Sequence, residues 1–263
     1  QCTGCRLERS RQWAVRCMHE ASLYDNNCFL TLTYDDASLP TNLSLVKSDF
    51  QKFMKRLRKR FGEGIRYYHC GEYGDTNSRP HYHALLFNHD FQDKKFFSER
   101  NGNKVFTSPT LSELWGLGHS VIGEVTFESA AYTARYVMKK VTGKMAKEFY
   151  GERTPEYTTM SRRPGIGTGW YEKFDGDVYP LDRVIVRGVS TRPPRFYDTL
   201  LGKNDPALLA YLKIEREKKS RKFVEDFDSS GRKFIVSDQD PRRLEVKETV
   251  KQSQIQTLKR PLE

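Results

Sequence analysis

The chain has 263 residues, enough for one large domain or two small ones, and its 45 Lys and Arg against 34 Asp and Glu give a formal net charge of +11. This excess of positive charge favours a large anionic partner, and nucleic acid is the first candidate. The 16 Phe and 14 Tyr exclude wholesale disorder, and no stretch approaches the ~18 apolar residues of a membrane span, so we expect no membrane partner.

Helix and strand patterns alternate in the first third of the chain. Apolar residues that recur every three and four positions predict helices, whereas runs such as CFLTLTY are rich in β-branched and aromatic residues and predict strands. The turn-forming residues GDTNSRP between two of these strands predict a hairpin. The predicted elements are helices over 6–23 and 44–61 and strands over 28–34, 65–70 and 81–87.

The next segment is less regular. Residues 88–107 are polar, and we expect a loop there. Thr110 and Glu113 have the spacing of a capping box, which predicts a short helix that ends near Trp115.

A strand over 119–125 and a helix over 128–142, which ends at Gly143, complete the regular part of the pattern. The order of elements up to this glycine predicts an α+β fold, in which a central antiparallel sheet carries helices packed on one face.

Regular patterns are sparse in the remaining sequence. One strand is predicted over 183–189, and Asp205 and Pro206 fit the N-cap and first position of a helix that runs to about Phe227. The last part is highly charged and predicts a marginal strand with a solvated helix or tail. We therefore divide the chain into a domain over 1–200 and an irregular, helical and charged C-terminal extension over 201–263.

The segment His81-Tyr82-His83 lies in a predicted strand, where alternation puts both histidines on one face. Two such imidazoles can chelate one divalent metal ion, or they can be hydrogen-bonded without a metal. If this strand pairs with the preceding one, Glu72 falls opposite or near His81 and completes a set of two histidines and one carboxylate, which suits Mn²⁺, Mg²⁺ or Zn²⁺. Glu72 could instead pair with Arg66 or Arg79.

The helix that contains AAYTARYVMKK carries two tyrosines four residues apart. At 100° per residue, Tyr132, Tyr136 and Lys139 project together, on the side opposite the apolar stripe. That stripe consists of Ala130, Ala134, Val137, Met138 and Val141. The tyrosines could stack on bases, as in many single-strand binders, or act in covalent catalysis by attack on a phosphodiester. A phenol with a pKa near ~10 is a weak nucleophile, so the second interpretation requires a metal that polarises the phosphate.

Three motifs in order, FLTLTYDD, RPHYHALLF and YTARYVMKK, carry a family resemblance. The chain resembles the HUH endonucleases, named for their His-hydrophobic-His motif, which initiate rolling-circle replication. Within them it is most similar to the replication initiators of the Microviridae, small single-stranded DNA phages, and in particular to the gokushovirus type. The resemblance covers about residues 1–200, including CRLERSRQWAVRCMHEA and RPPRFYD.

This resemblance implies an RRM-like antiparallel sheet with a metal site on its face. In that family pattern, His81, His83 and Glu72 match the ligands of a divalent metal, Mg²⁺ or Mn²⁺, while Tyr132 and Tyr136 match the two nucleophiles. Lys139 matches the lysine that assists them. The family activity is a nick at one origin site that leaves a 5′-phosphotyrosine and a 3′-hydroxyl primer, followed by strand rejoining after one round.

The resemblance also implies partners and a location. Single-stranded DNA at a replication origin is the expected substrate, host helicase and DNA polymerase are expected partners, and the host bacterial cytoplasm is the expected compartment. The five cysteines fit a reducing compartment, because they lack the spacing of a disulfide scaffold. Candidate DNA-contacting residues are Arg58, Lys59, Arg79, Arg135, Lys140, Arg162 and Arg163.

Two weaker motifs complete the sequence evidence. Gly165-Ile-Gly167-Thr-Gly169 lacks a preceding strand and a GK[ST] sequence, so we interpret it as a turn and expect duplex unwinding to come from another protein. Cys2 and Cys5 form a CxxC without a second pair at zinc spacing, which leaves a zinc site unsupported. The alternatives to a phage initiator are a plasmid relaxase or single-strand transposase of the same superfamily, and a non-catalytic single-stranded nucleic-acid-binding module.

Overall fold

The structure is a computed structural model that describes residues 3–74, 78–141, 143–221, 223–227 and 229–256, without the side chains of 137–139. Its elements are α1 (Thr3–Ala21), β1 (Asn27–Tyr34), α2 (Lys47–Phe61), β2 (Arg66–Tyr73), β3 (Pro80–Phe87), β4 (Lys95–Arg100), β5 (Asn103–Thr107), α3 (Pro109–Trp115), β6 (Gly118–Gly123), α4 (Phe127–Lys139), α5 (Met145–Tyr150), β7 (Tyr157–Met160), α6 (Thr168–Val178), β8 (Val184–Val186), β9 (Val189–Thr191), α7 (Arg195–Asn204), α8 (Pro206–Ser220), β10 (Phe223–Phe227), β11 (Lys233–Ser237) and α9 (Pro241–Gln256).

The predicted α+β class is confirmed by a seven-stranded antiparallel sheet in the described part of the chain, with the strand order β4-β5-β6-β1-β3-β2-β7. β3 is central because nearly all of its residues are buried, which requires neighbours on both edges and cover on both faces. The predicted hairpin is β2–β3, and its register aligns Glu72 with His81 and Cys70 with His83. On its other edge β3 pairs with β1, so that Thr31 lies opposite His83 and Thr33 opposite His81.

Helices cover both faces of this sheet, so the prediction of helices on one face is wrong. The reason lies in the strands, since Phe29 and Leu30 of β1 point to opposite faces and both are buried. A sheet with two apolar faces must be covered on both. One face packs against α2 and α3 through Phe53 and Trp115, and the other packs against α1 and α4 through residues such as Ala14.

The segment predicted as a loop over 88–107 contains the hairpin β4–β5. The turn is Asn101-Gly102, and both residues have positive φ values of 50° and 76°, as a two-residue hairpin turn requires. β4 is mostly exposed, so it shows little of the alternation that marks a half-buried strand. The helix α3 that follows is capped by Ser108, whose side chain accepts from the Leu111 amide, and not by the capping box predicted at Thr110.

Several later elements also differ from prediction. The strand predicted over 183–189 is two short strands, β8 and β9, separated by a turn at Arg187-Gly188. The helix that begins at Pro206, with Asp205 as its N-cap as predicted, ends at Ser220, and β10 then pairs with β11. α4 ends at Lys139, and Thr142 lies outside the described residues. The sequence patterns missed α5, β7, α6 and α7.

Contacts divide the chain into two compact units. The first runs from Arg6 to Lys173 and contains the seven-stranded sheet; the second begins at Phe174 and contains both two-stranded hairpins with α7, α8 and α9. In the second unit Arg216 of α8 is held by Asp182 at 2.5 Å and Asp198 at 2.7 Å. The domain division predicted at residue 200 stays a prediction, because contacts alone do not test which segment folds independently. No helix of the described chain is long and apolar enough to cross a membrane.

Candidate active site

The two histidines of β3 lie on one face of the sheet, and β1 orients both rings. Thr31 Oγ1 lies 3.0 Å from Nδ1 of His83, and Thr33 Oγ1 lies 2.9 Å from Nδ1 of His81. These contacts follow from the register of β1 against β3. In both rings the Nε2 atom therefore contacts groups on the β2 side of the strand.

Glu72 of β2 completes this cluster. Its Oε1 atom lies 3.4 Å from Nε2 of His83, and its side chain is 1% exposed. The alternative pairings considered from the sequence are not those observed, because Arg66 forms its ion pair with Glu20 and Arg79 forms its own with Asp36. A buried carboxylate requires hydrogen bonds or an opposite charge, so its position beside two histidines makes this the polar centre of the sheet.

The space around His81 depends on a glycine. A Cβ atom at Gly74 would lie 2.8 Å from Nε2 of His81, closer than side-chain atoms normally approach. Gly74 follows β2 directly, so the absence of a side chain there leaves room for the imidazole. No sequence signal singled out this glycine, because its role arises only from the pairing of β2 with β3.

The donor chemistry of the cluster fits a divalent metal ion. Ligand atoms bound ~2.0–2.2 Å from one ion lie ~3.0–3.4 Å from each other, and the His83–Glu72 distance of 3.4 Å falls at that spacing. The threonine contacts to Nδ1 resemble the outer hydrogen bonds that orient metal-binding histidines. Among the described residues, no three His, Cys, Asp or Glu side chains are already gathered closely enough to form a metal centre.

Both tyrosines of α4 pack onto this cluster. The ring of Tyr136 is stacked on His83 with centroids 5.4 Å apart, and the ring of Tyr132 meets His83 edge-on at 5.1 Å. The Tyr136 hydroxyl donates a hydrogen bond to the Tyr132 hydroxyl. The four groups Glu72, His83, Tyr132 and Tyr136 therefore form one contiguous buried cluster.

The predicted orientation of α4 is wrong. Tyr132 and Tyr136 were expected opposite the packed side, yet they are 4% and 3% exposed, and Ala130 and Ala134 on the other stripe are also buried. The helix is covered on more than one side: the sheet packs against the tyrosines, and α1 contacts α4 through a hydrogen bond from Ser10 Oγ to the Ala131 carbonyl. A helical wheel that assumes one packed side cannot identify this arrangement.

The electrostatics of the cluster keep Tyr136 protonated. Burial raises the pKa of Tyr136 far above its usual value, and the nearby Glu72 carboxylate and Tyr132 raise it further. The phenol is therefore neutral in the protein as it stands, and a compensating positive charge is needed before its oxygen becomes an effective nucleophile. The side chain of Lys139, predicted to assist, lies outside the described residues, although its backbone ends α4.

The candidate DNA-contacting residues differ in availability. Arg58 donates to the Ile65 carbonyl, and Arg79 donates to the Tyr34 carbonyl, so both help to hold the fold. Arg135 and Lys140 are partly buried near the C-terminal end of α4, whereas three residues are exposed. The exposed ones are Lys59, Arg162 and Arg163.

The glycine-rich segment is a turn, as predicted. The Gly167 amide donates to Oε2 of Glu20 at 2.7 Å, so a carboxylate occupies the position that a phosphate would need. Cys17, Cys28 and Cys70 are buried, as expected. Cys2 of the CxxC lies outside the described residues.

The fold and the cluster define an α+β protein whose central sheet carries a buried His, Glu and Tyr site under one helix. Residues 27–141, from the start of β1 to just beyond α4, match the family model of the ORF2-type replication-associated proteins. The chain belongs to the family of phage replication-associated proteins.

Three relatives define this placement. The chain is 37% identical over 216 residues to replication-associated protein VP4 of Bdellovibrio phage phiMH2K, which covers 78% of this chain and 67% of that protein. It is 36% identical over 238 residues to replication-associated protein ORF2 of Spiroplasma virus 4, covering 84% and 73%. It is 30% identical over 213 residues to replication-associated protein ORF4 of Chlamydia phage 1, covering 77% and 53%. No solved structure matches the chain.

Proposed function

We propose that this protein initiates phage rolling-circle replication by a metal-dependent, site-specific nick in single-stranded origin DNA, and that it rejoins the strand at termination. The observation that carries the proposal is the contact of Tyr132 and Tyr136 with His83, next to Glu72. Two phenols beside an imidazole and a carboxylate on one sheet face supply both a nucleophile and a metal-ligand set. Membership in the replication-associated family supports the same assignment.

The residues have distinct roles in this scheme. His81, His83 and Glu72 would hold Mg²⁺ or Mn²⁺, which when bound supplies a positive charge that polarises the scissile phosphate. Thr31 and Thr33 hold the two imidazoles through Nδ1, so that Nε2 is the nitrogen available to the site. Lys139 would stabilise the phenolate or the phosphate.

In the nicking step, one tyrosine loses its phenolic proton and its oxygen forms a bond to the phosphorus of a DNA phosphodiester. The bond from phosphorus to the 3′-oxygen breaks, and that oxygen takes up a proton. The products are a 5′-phosphotyrosine and a free 3′-hydroxyl, which can prime synthesis. The hydrogen bond between Tyr136 and Tyr132 keeps the second phenol next to the first, so the second tyrosine can cut after one round while the new 3′-hydroxyl attacks the first phosphotyrosine.

The buried position of the tyrosines also bears on the alternatives. A module that binds single strands by stacking requires exposed rings, whereas Tyr132 and Tyr136 are 4% and 3% exposed. The same burial means that DNA must displace α4 or the tyrosine side chains before reaction. Two adjacent tyrosines favour an initiator over a relaxase or single-strand transposase, which more often uses one.

The remaining features of the proposal concern partners and location. The protein would act on the phage origin in the host bacterial cytoplasm, with host helicase and DNA polymerase to unwind and extend the strand. The exposed cations Lys59, Arg162 and Arg163 would contribute contacts to DNA phosphates.

The test is the formation of a covalent protein–DNA adduct. The full chain is incubated with an oligonucleotide that carries the phage origin, with Mn²⁺ or Mg²⁺, and separated on a denaturing gel. We expect an adduct that requires the metal and disappears in the Tyr132→Phe, Tyr136→Phe double variant, while Tyr211→Phe, a change at an exposed tyrosine of α8, leaves it intact. An adduct that persists in the double variant would show that these tyrosines are not the nucleophiles, and the absence of any adduct with either metal would favour a binding module.

A further inference from the structure

The opposite face of the sheet contains a second candidate site. A cleft of about 270 Å³ lies between the start of α2 and the strands β2 and β7. We call it the β7 cleft, and the residues of its lining that matter here are Lys47, Phe50, Tyr67, His69, Tyr157 and Arg162. Alternation along β2 puts Tyr67 and His69 on the face away from Glu72, so this cleft is separated from the tyrosine cluster by the sheet itself.

The lining combines aromatic rings with positive charge. The two charged residues of the lining, Lys47 and Arg162, are both cations and both exposed. The ammonium of Lys47 lies 4.7 Å from the centre of the Tyr157 ring, and Tyr67 provides a second ring in the lining. Aromatic rings next to cations recognise a base by stacking and its phosphate by charge.

His69 supplies a polar group that the rest of the fold does not use. The residue is 1% exposed, its ring is stacked on Phe50 with centroids 3.5 Å apart, and its Nδ1 lies 2.9 Å from Oγ1 of Thr159. Its Nε2 atom has no hydrogen-bond partner among the described residues. Buried polar atoms are nearly always paired, so a ligand in the cleft is a natural partner for this nitrogen.

The size of the cleft limits the ligand. Sites for small ligands usually measure ~300–1,000 Å³, so a volume of about 270 Å³ suits a single nucleotide and not several. We propose that the β7 cleft binds one nucleotide, with its base against the rings of Tyr67 and Tyr157 and its phosphate at Lys47 and Arg162.

This nucleotide could be a free mononucleotide or one unit of a single strand that passes around β7, the edge strand of the sheet. Both sources share the chemistry of a base with an attached phosphate. The proposal does not depend on the nicking reaction, because no residue of the β7 cleft belongs to the tyrosine cluster.

The test measures binding to the full chain by isothermal titration calorimetry at fixed salt, with three probes. The probes are thymidine monophosphate, a short oligothymidylate, and an abasic oligomer of the same length. The cleft variant is Lys47→Ala, Arg162→Ala, and the charge-matched control is Lys55→Ala, Lys95→Ala, which removes two exposed cations from α2 and β4. NMR spectra of ¹⁵N-labelled histidine report on His69 Nε2 at the same time, and thermal melting verifies that each variant is folded.

We expect the cleft variant to weaken binding of a base-containing probe by ~10-fold or more relative to the control variant, with a shift of the His69 Nε2 resonance on titration. Loss with the mononucleotide identifies a free nucleotide as a ligand; loss with the oligothymidylate alone, and not with the abasic oligomer, identifies a nucleotide of the strand. Equal binding by cleft and control variants with every probe, or an unchanged His69 resonance at saturation, would overturn the proposal. The Tyr132→Phe, Tyr136→Phe variant should retain binding at the cleft, so failure of the nicking scheme is separable from failure of this one.

Discussion

The ring of Tyr136 lies nearly parallel to the ring of His83, with 5.4 Å between their centroids and 11° between their planes. This stacking joins α4 to the centre of the sheet, where Glu72 lies 3.4 Å from the same imidazole. The nucleophile and the ligand set proposed for DNA nicking are thus in direct contact before any substrate is present. A change at one group is therefore expected to affect the others.

Replacement of Thr31 or Thr33 by valine should weaken metal binding without unfolding the protein. Each threonine contacts Nδ1 of one histidine, and loss of such outer hydrogen bonds typically lowers metal affinity by ~10–100-fold. Mn²⁺ titration followed by electron paramagnetic resonance measures the effect. Thr107→Val, a matched change in β5, should leave Mn²⁺ affinity unchanged; an equal loss in all three variants would argue against the proposed orienting role.

Gly74→Ala should displace His81. The added Cβ would lie 2.8 Å from Nε2 of His81, so the ring must move, and we expect Mn²⁺ affinity to fall by ~10-fold or more. Gly176→Ala is the control, because a Cβ there meets no atom within 4 Å. If Gly74→Ala binds Mn²⁺ as tightly as the parent protein, His81 is not a ligand.

Glu20→Ala should destabilise the first compact unit. Glu20 is 2% exposed at its side chain, forms an ion pair with Arg66 and accepts the Gly167 amide. Removal of one member of a buried ion pair leaves the other charge uncompensated and costs ~3–5 kcal/mol. Urea unfolding monitors the change, and Glu8→Ala, which breaks the more exposed pair with Arg11, should change the free energy of unfolding by no more than ~1 kcal/mol.

Stability should decline as the pH falls from about 6.5 toward 4. Burial lowers the pKa of His19 from 6.5 to about 4, where its ring is stacked on Trp170 at 3.5 Å. Between these pH values the unfolded chain binds a proton that the folded protein excludes, so acidification favours unfolding by up to ~3 kcal/mol from this group. Burial also lowers the pKa of His69, which adds a loss of the same sign.

Urea unfolding at several pH values measures this dependence. His19→Phe keeps an aromatic partner for Trp170 and removes the titrating group, so the decline in stability between pH 6.5 and 4 should be smaller. His119→Gln, at an exposed position of β6, is the control and should retain the parent slope. A His19→Phe protein with the parent slope would show that His19 is not the group responsible.

Local patterns were sufficient for the ligand strand. The alternation of His81, Tyr82 and His83, together with the hairpin loop before them, predicted that both histidines share a face and that Glu72 lies opposite His81, which is the observed register. These features depend on the two-residue period of a strand and on a short connection. Both are visible in the sequence because the interacting residues are close along the chain.

Other features left a weaker trace. The hairpin β4–β5 lies at the edge of the sheet and exposes most of β4, so burial imposed little pattern on its residues. The turn at Asn101-Gly102 was the available signal. A polar segment with such a turn can form an edge strand, because pairing by backbone hydrogen bonds does not require apolar side chains.

The sequence by itself determined the α+β class, the order of elements through α4, and the identity of the histidines, the glutamate and the tyrosines, because each depends on short-range periodicity or on residue chemistry. Only the tertiary structure decided that α4 turns Tyr132 and Tyr136 toward His83. That orientation depends on α1 and the sheet, which bury two sides of α4 at once. The β7 cleft has the same origin, since it brings together α2, β2 and β7, and no local pattern encodes which distant side chains will meet.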